Sequence, residues 1–208
     1  MEFITRPSTQ DKYITKESDY EKCNFERGDV WLDAGGNIGA FAVKYASKVD
    51  RIISFEPDEQ NYRLLRKNLK KNGIENVKTS QKCLVGNQDE TRKFYLNKKT
   101  NKGTHSLLVK GGRKEIIVPC VNINRAWLKH GFNKMKVDVE GAELELLMAF
   151  KYYESIDEII FEYHFNYLKD HPEHNKFKEL TEHLRSKGFK LEHKEPKKHW
   201  TMIVRATR

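Results

Sequence analysis

From residue 29 to 47 the chain reads DVWLDAGGNIGAFAVKYAS, a short apolar run that passes through three glycines into an apolar helical pattern. A strand that turns through glycines into a helix opens the ligand-binding edge of an α/β sheet, where a helix N-terminus and closely approaching backbone meet a nucleotide-bearing molecule. A dinucleotide fingerprint would read G-x-G-x-x-G. Here the order is Asp33-Ala34-Gly35-Gly36-Asn37-Ile38-Gly39, so Asn37 stands where a glycine would let backbone close on a pyrophosphate. Asp33, at the end of the strand, would repel a phosphate and attract a cation. S-adenosylmethionine suits this pattern better than NAD: it carries an ammonium and a sulfonium and no phosphate. Its carboxylate can take backbone N–H groups at the turn while Asp33 draws the positive charges.

Glu56 points the same way. It closes the second apolar run in SFEPD, next to the first turn, where an acid can accept both ribose hydroxyls. Pro57 then leads into a helix. Such an acid would serve NAD equally, and a glycine turn can also exist only to let helix and strand pack.

Strand-like and helix-like stretches alternate along most of the chain. Apolar runs at 30–34 and 51–56 flank a helix that is apolar most of the way round. A second helix follows, with Tyr62, Leu65 and Leu69 at helical spacing, Asp58 to cap its start and Gly73 its end. Residues 76–86 form a third strand candidate. The rhythm breaks between 92 and 121, where RKFYL, HSLLV and EIIVPCV suggest a small antiparallel insertion. Beyond it come a short helix ending at Gly131, a strand–turn–helix in KMKVDVEGAELELLMAF, a strand in EIIFEYH, and a helix with a capping pair Asp170 and Glu173 around Pro172. FKLEHK and HWTMIVRA supply two closing strands. This alternation builds an α/β, doubly wound, mostly parallel sheet. A single domain over 1–208 is expected, with residues 1–28 as a leading segment that packs late or covers a site.

Composition excludes several classes. With 38% hydrophobic residues the chain is globular, and no apolar run approaches the ~18 residues that span a bilayer. Cys23, Cys83 and Cys120 are far apart and without a CxxC pair, which argues for a reducing, cytoplasmic setting and three small buried thiols. The net charge of +9 favours an acidic partner, or else reflects a well-solvated surface.

On the segments DAGGNIGAFAVKYA, SFEPDEQNYRLLRKNLKKNGIENV, HSLLV, KVDVEGAELELL and IIFEYH, the chain resembles the FkbM family of S-adenosylmethionine-dependent O-methyltransferases. The first two occur across many methyltransferases; KVDVEGAE after a strand is more specific. The resemblance implies a Rossmann-like sheet closed by a reversed C-terminal hairpin, and methyl transfer to a hydroxyl. Relatives act on sugars such as fucose and rhamnose, or on macrolides. It gives cofactor roles to Asp33, Gly35, Asn37, Gly39 and Glu56, and by the fold's usual geometry sets Lys82, Cys83 and Leu84 beside the adenine. Gly36 stands where relatives often carry alanine, a change expected to be harmless.

Chemistry should gather at the carboxyl ends of the strands. If the strand in MKVDVE stays regular, Lys136, Asp138 and Glu140 share one side and Met135, Val137 and Val139 the other. Glu162 and His164 end the next strand. A sugar hydroxyl is a weak nucleophile, so a positioned base helps; Asp138 and His164 are the candidates, with Glu140 orienting a hydroxyl or Lys136. The same residues could form an ion-pair network, or Asp138, Glu162 and His164 could hold a divalent cation; a metal-free base is favoured because one imidazole among carboxylates is no oxygen cage for magnesium. His105 and Ser106 are expected to line the acceptor side. Trp127 and Trp200 read as core residues, or as sugar platforms. His171, His174 and His199 show no ligand spacing. A saccharide or glycan acceptor follows from the resemblance. A nucleic acid is disfavoured, since no Pro-Pro dipeptide supplies an amine-methylation motif, although a ribose 2′-hydroxyl stays open, as does a non-catalytic binding module.

Overall fold

The computed structural model describes residues 1–16, 18–88, 90–97, 105–108, 113–165, 176–194 and 201–208. The expected features at Asp170, Pro172, Glu173, Trp200, His171, His174 and His199 lie outside these.

Seven strands form the main sheet: β1 Val30–Ala34, β2 Arg51–Phe55, β3 Val77–Ser80, β7 Lys134–Val137, β8 Glu158–His164, β9 Lys190–Lys194 and β10 Thr201–Thr207, in the order β3-β2-β1-β7-β8-β10-β9. The pairings β3·β2, β2·β1, β1·β7 and β7·β8 are parallel, while β10 runs antiparallel to both β8 and β9, giving the reversed hairpin. Strand alternation decides which residues meet which layer. Leu32, Ala34, Ile53, Phe55, Met135, Val137, Ile159 and Phe161 face one core, shared with helices α4 Ile123–His130, α5 Glu143–Ala149 and α6 Phe177–Ser186. Trp31, Ile52 and Ile160 face the other, shared with α2 Ala40–Tyr45 and α3 Glu59–Lys71.

Helix ends follow their local chemistry. The Asp58 carboxylate accepts the Asn61 N–H at 2.8 Å and starts α3, and Gly73 continues past its end at φ 63°. Asn122 caps α4 through the N–H groups of Asn124 and Arg125, and Gly131 stops it in the left-handed conformation. Trp127 stacks on Tyr152 at 4.0 Å and donates to the Phe132 carbonyl, so it is a packing residue.

Two expectations change. Residues 76–86 do not make one strand: β3 stops at Ser80, and Cys83–Val85 forms β4, which leaves the main sheet. β4 pairs in parallel with β6 Lys114–Asn122, and β6 pairs antiparallel with β5 Thr91–Leu96, so the insertion recruits part of the third strand into a separate three-stranded sheet. Of HSLLV, the described residues contribute one bridge, Ser106 to Tyr95, and no regular strand.

The leading segment, which contains the short helix α1 Asp11–Ile14, is bound along α3. Asn68 accepts the Ile4 N–H and donates to the Ile4 carbonyl, and Arg6 bridges the buried Asp11 and Asn61. Phe25 stacks between Trp31 and Tyr45, with centroids at 5.0 and 4.1 Å.

Candidate active site

The loops after β1 and β2 are clasped by one carboxylate. Glu56 accepts the Asn37 N–H and the Asp58 N–H, each at 2.8 Å and on different oxygens. A carboxylate has about four acceptor sites, so both oxygens keep capacity for a further donor. Burial pushes the Glu56 carboxyl up to about 8, against the pull of the two backbone N–H groups. Gly35, at φ +85°, presses the turn against the end of β7: a Cβ there would lie 1.9 Å from the Asp138 carbonyl oxygen.

A cleft of about 530 Å³ opens above this clasp. Gly35, Asn37, Glu56, Pro57, Lys82, Cys83 and Leu84 all line it, as the sequence suggests, with Phe55, Phe94, Leu107 and Val139 as apolar walls. Asn37, at φ 48°, carries a buried Oδ1 with no hydrogen-bond partner among the described residues. Cys83 is paired in register with Cys120 across β4 and β6, and the hydrogen bond with that second thiol, then burial, raise its pKa well above the ordinary thiol value.

Asp33 and Gly39 do not line the cleft. Asp33 is fully buried on the α2 side of the sheet, in register with Ser54 on one neighbouring strand and Lys136 on the other. It accepts the Ser54 hydroxyl at 2.7 Å and lies 3.2 Å from the Lys136 ammonium. The expected attraction of a ligand cation by Asp33 is therefore replaced by an internal ion pair. Lys136 donates to the Gly35 carbonyl at 2.7 Å, so the pair braces the glycine turn from beneath. Gly39 caps α2 and packs against Leu65. Gly36 is also constrained: a Cβ would meet the Ser54 hydroxyl at 2.1 Å and Leu65 Cδ1 at 2.7 Å, so an alanine here would require those two side chains to shift.

Lys136, Asp138 and Glu140 do not share one side. β7 ends at Val137, and Glu140 adopts φ 55°, which breaks the alternation. Asp138 stays 3.6 Å from Lys136, whereas Glu140 turns to His164, with Oε2 at 3.4 Å from Nε2. The centre of this second cluster is Glu143, which the sequence reading did not single out. It is fully buried in the first turn of α5. Its carboxylate accepts the Val139 and Gly141 N–H groups, at 3.1 Å each, and lies 3.0 Å from His164 Nδ1. Glu162 lies 4.0 Å from His164 Nε2.

Burial pulls the His164 imidazole down, but Glu140, Glu143 and Glu162 outweigh it and hold it well above its ordinary value. Burial, partly offset by the His164 charge, pushes Glu140 up to about 8, and burial raises Glu162. These carboxylates favour the protonated form of His164. Potential ligand atoms of Asp138, Glu143 and His164, with Glu143 in place of the expected Glu162, lie within 4.8 Å of one another. Glu143 already serves two backbone amides and the imidazole, a donor set that suits a proton on His164 better than a metal.

The insertion roofs this edge. Ser106 is fully buried and donates to the Glu140 carbonyl at 2.6 Å. His105 lines the cleft, accepts the Asn97 N–H on Nδ1, and places Nε2 4.0 Å from Asp58. It thus stands near Asp58 in the lining that also holds Asp138 and Glu140.

Residues 33–191 match the family model described as methyltransferase FkbM domain. The chain belongs to the FkbM methyltransferase family. A relative named Methyltransferase 1, from Beauveria bassiana, is 26% identical over 73% of this chain and 72% of its own length. Among solved structures, the FkbM methyltransferase from Methylobacillus flagellatus superposes with a TM-score of 0.59 at 14% identity, over 93% of this chain and 47% of that one. TrmK of M. capricolum, in complex with S-adenosyl-homocysteine, gives 0.52 at 10% identity, over 99% and 69%. These structures share the Rossmann-like methyltransferase fold. Within this FkbM protein, Glu143 had a sequence signal: an acid opening the helical run ELELLMA, three residues after Glu140. Asn61, a further cleft residue, had none beyond its place in α3. Among the described residues no helix is long and apolar enough to cross a membrane.

Proposed function

We propose that the protein is an S-adenosylmethionine-dependent O-methyltransferase acting on a sugar hydroxyl, that of a 6-deoxyhexose such as rhamnose or fucose in a glycan or glycoconjugate. The observation that carries the reading is the placement of Asp138 and Glu140 in the lining of the same cleft as Asn37 and Glu56. The residues fit the cofactor: Glu56 keeps acceptor capacity for a ribose diol, the orphaned Asn37 Oδ1 suits an ammonium, and the apolar walls suit an adenine. TrmK, a fold neighbour, holds the demethylated product of such a cofactor. When bound, S-adenosylmethionine supplies an electrophilic methyl group. Asp138 would accept the proton of a hydroxyl placed to attack that methyl group. The carboxylates around His164 favour its protonated form, so in this reading it orients and offsets charge and leaves the role of base to Asp138. Glu140 and Glu162 offer carboxyl groups to neighbouring hydroxyls, an arrangement suited to a polyol. The deoxyhexose rests on the family resemblance.

The test of the acceptor is S-adenosylhomocysteine release measured against deoxyhexose glycosides, RNA and lipid hydroxyls. Methylated saccharide is expected. Methylated RNA with no methylated saccharide would overturn the reading, although Lys136, tied to Gly35 and Asp33, is poorly placed to activate a ribose hydroxyl.

Cofactor affinity should depend on pH. Ribose hydroxyls donate to the ionised Glu56, which in the free protein forms as pH rises through about 8. S-adenosylhomocysteine should bind roughly 20-fold more tightly at pH 8.5 than at pH 6.5, with a slope approaching about tenfold per unit below the pKa. Glu56→Gln should flatten that dependence and cost about 1–3 kcal/mol of binding. Calorimetry showing parental affinity and slope in Glu56→Gln removes Glu56 from the site.

A further inference from the structure

A second concavity, of about 1090 Å³, lies at the β3 edge of the sheet between β3 and α4. Its cations are Lys78, Lys82, Arg125 and Lys129, the His130 imidazole and the hydroxyls of Thr79 and Ser80 lie among them, and no carboxylate among the described residues lines it. Lys78, Lys82, Arg125 and Lys129 are exposed. Arg51 closes one end by donating to the His130 carbonyl at 2.9 Å. The surrounding charge is felt locally: burial first, then Lys129, Lys78 and Arg51, lower the His130 pKa.

The positive surface continues across Gln81 onto α3, where Arg63, Arg66, Lys67 and Lys70 are exposed beside one acid, Glu59, itself paired with Arg63. From Arg63 to Lys70 alone this track covers about 10 Å of helix, more than one phosphate group can occupy. Tyr62, the aromatic ring along the track, has its hydroxyl engaged with Thr79 at 3.2 Å. The lining thus offers guanidinium forks, ammonium groups and hydroxyls, the mixture that contacts phosphodiester oxygens, and little on which bases could stack.

We propose that this groove and the adjoining face of α3 bind the phosphodiester backbone of a nucleic acid, without reading its sequence. The site is separate from the Asp138 cluster and does not depend on which hydroxyl is methylated. A concave lining suits a strand better than a flat bilayer, and its apolar members are core residues: Ile53, Phe55 and Ala126 are buried, and Val121 is half-buried against the core. The surplus of +9 then has a place on the surface where it acts.

The experiment is fluorescence anisotropy with a labelled 20-nucleotide RNA of mixed sequence, from 50 to 300 mM salt, on the parent and on the triple reversal Lys78→Glu, Arg125→Glu, Lys129→Glu. Lys82 is left intact because it also lines the cofactor cleft. The parent should bind with an affinity that falls steeply with salt, and a second RNA sequence should bind alike. The triple variant should bind at least tenfold more weakly, with the slope of log K against log salt reduced by about two to three. Unchanged S-adenosylhomocysteine binding in the variant reports an intact fold, and Arg125→Glu alone, expected to show a smaller loss in the same direction, replaces it if that control fails. Parental RNA affinity in both variants overturns the proposal. So does equal binding of a sulfated polysaccharide of matched charge, or displacement of RNA by inorganic phosphate at equal phosphate concentration.

Discussion

Asp138→Asn is expected to lower kcat by about 100-fold or more while leaving S-adenosylhomocysteine affinity within a few-fold of the parent. The amide keeps the shape of the side chain, which stands beyond the end of β7 and lies 3.6 Å from Lys136, but it no longer accepts the hydroxyl proton. Activity in the parent should persist in EDTA, because the His164 ring and the occupied carboxylate of Glu143 already pair with one another at 3.0 Å. Loss of turnover in EDTA with recovery on adding Mg²⁺ or Mn²⁺ would transfer the role of Asp138 from base to metal ligand. Near-parental turnover in Asp138→Asn would remove both roles and leave positioning alone to account for the rate.

Glu143→Ala should be the most damaging single change outside the catalytic group. Three donors lose their acceptor at once: the Val139 N–H, the Gly141 N–H and the His164 ring. Removing one partner of a buried pair leaves the other charge uncompensated and costs about 3–5 kcal/mol. For a chain of this size that corresponds to a fall in Tm of roughly 10 °C. Glu143→Gln separates shape from charge. It can still accept a backbone N–H through its amide oxygen, so much of the stability should return, but the charge that helps hold His164 in its protonated form is gone. The sign follows: the His164 pKa, raised in the parent by its carboxylate neighbours, should drop in Glu143→Gln, seen as a shifted imidazole titration by NMR. A parental His164 titrating at its ordinary value, or one unchanged by the substitution, would contradict the electrostatic role given to Glu143.

The parts of this protein written locally in the sequence are those whose partners lie a few residues away. The glycine order from Gly35 to Gly39, Asp58 capping α3, and Gly131 ending α4 are set by backbone conformation and short-range hydrogen bonds, and the sequence alone placed them. The alternation of apolar runs likewise determined a parallel sheet with two cores, and the position of Glu56 at a strand end determined that it would reach the first turn.

Contacts across the sheet were decided only by the tertiary structure. Whether Asp33 faces a ligand or a neighbour depends on the register of β1 against β2 and β7. That register brings Ser54 and Lys136 to its two sides and takes it out of the cleft. The regular strand assumed through Glu140 ends at Val137, because the close approach of Gly35 to the Asp138 carbonyl and the clasp of Glu143 on Val139 and Gly141 turn the chain there. The protonation of His164 and Glu140 is likewise collective. It depends on how many carboxylates burial forces together, which no stretch of sequence carries by itself.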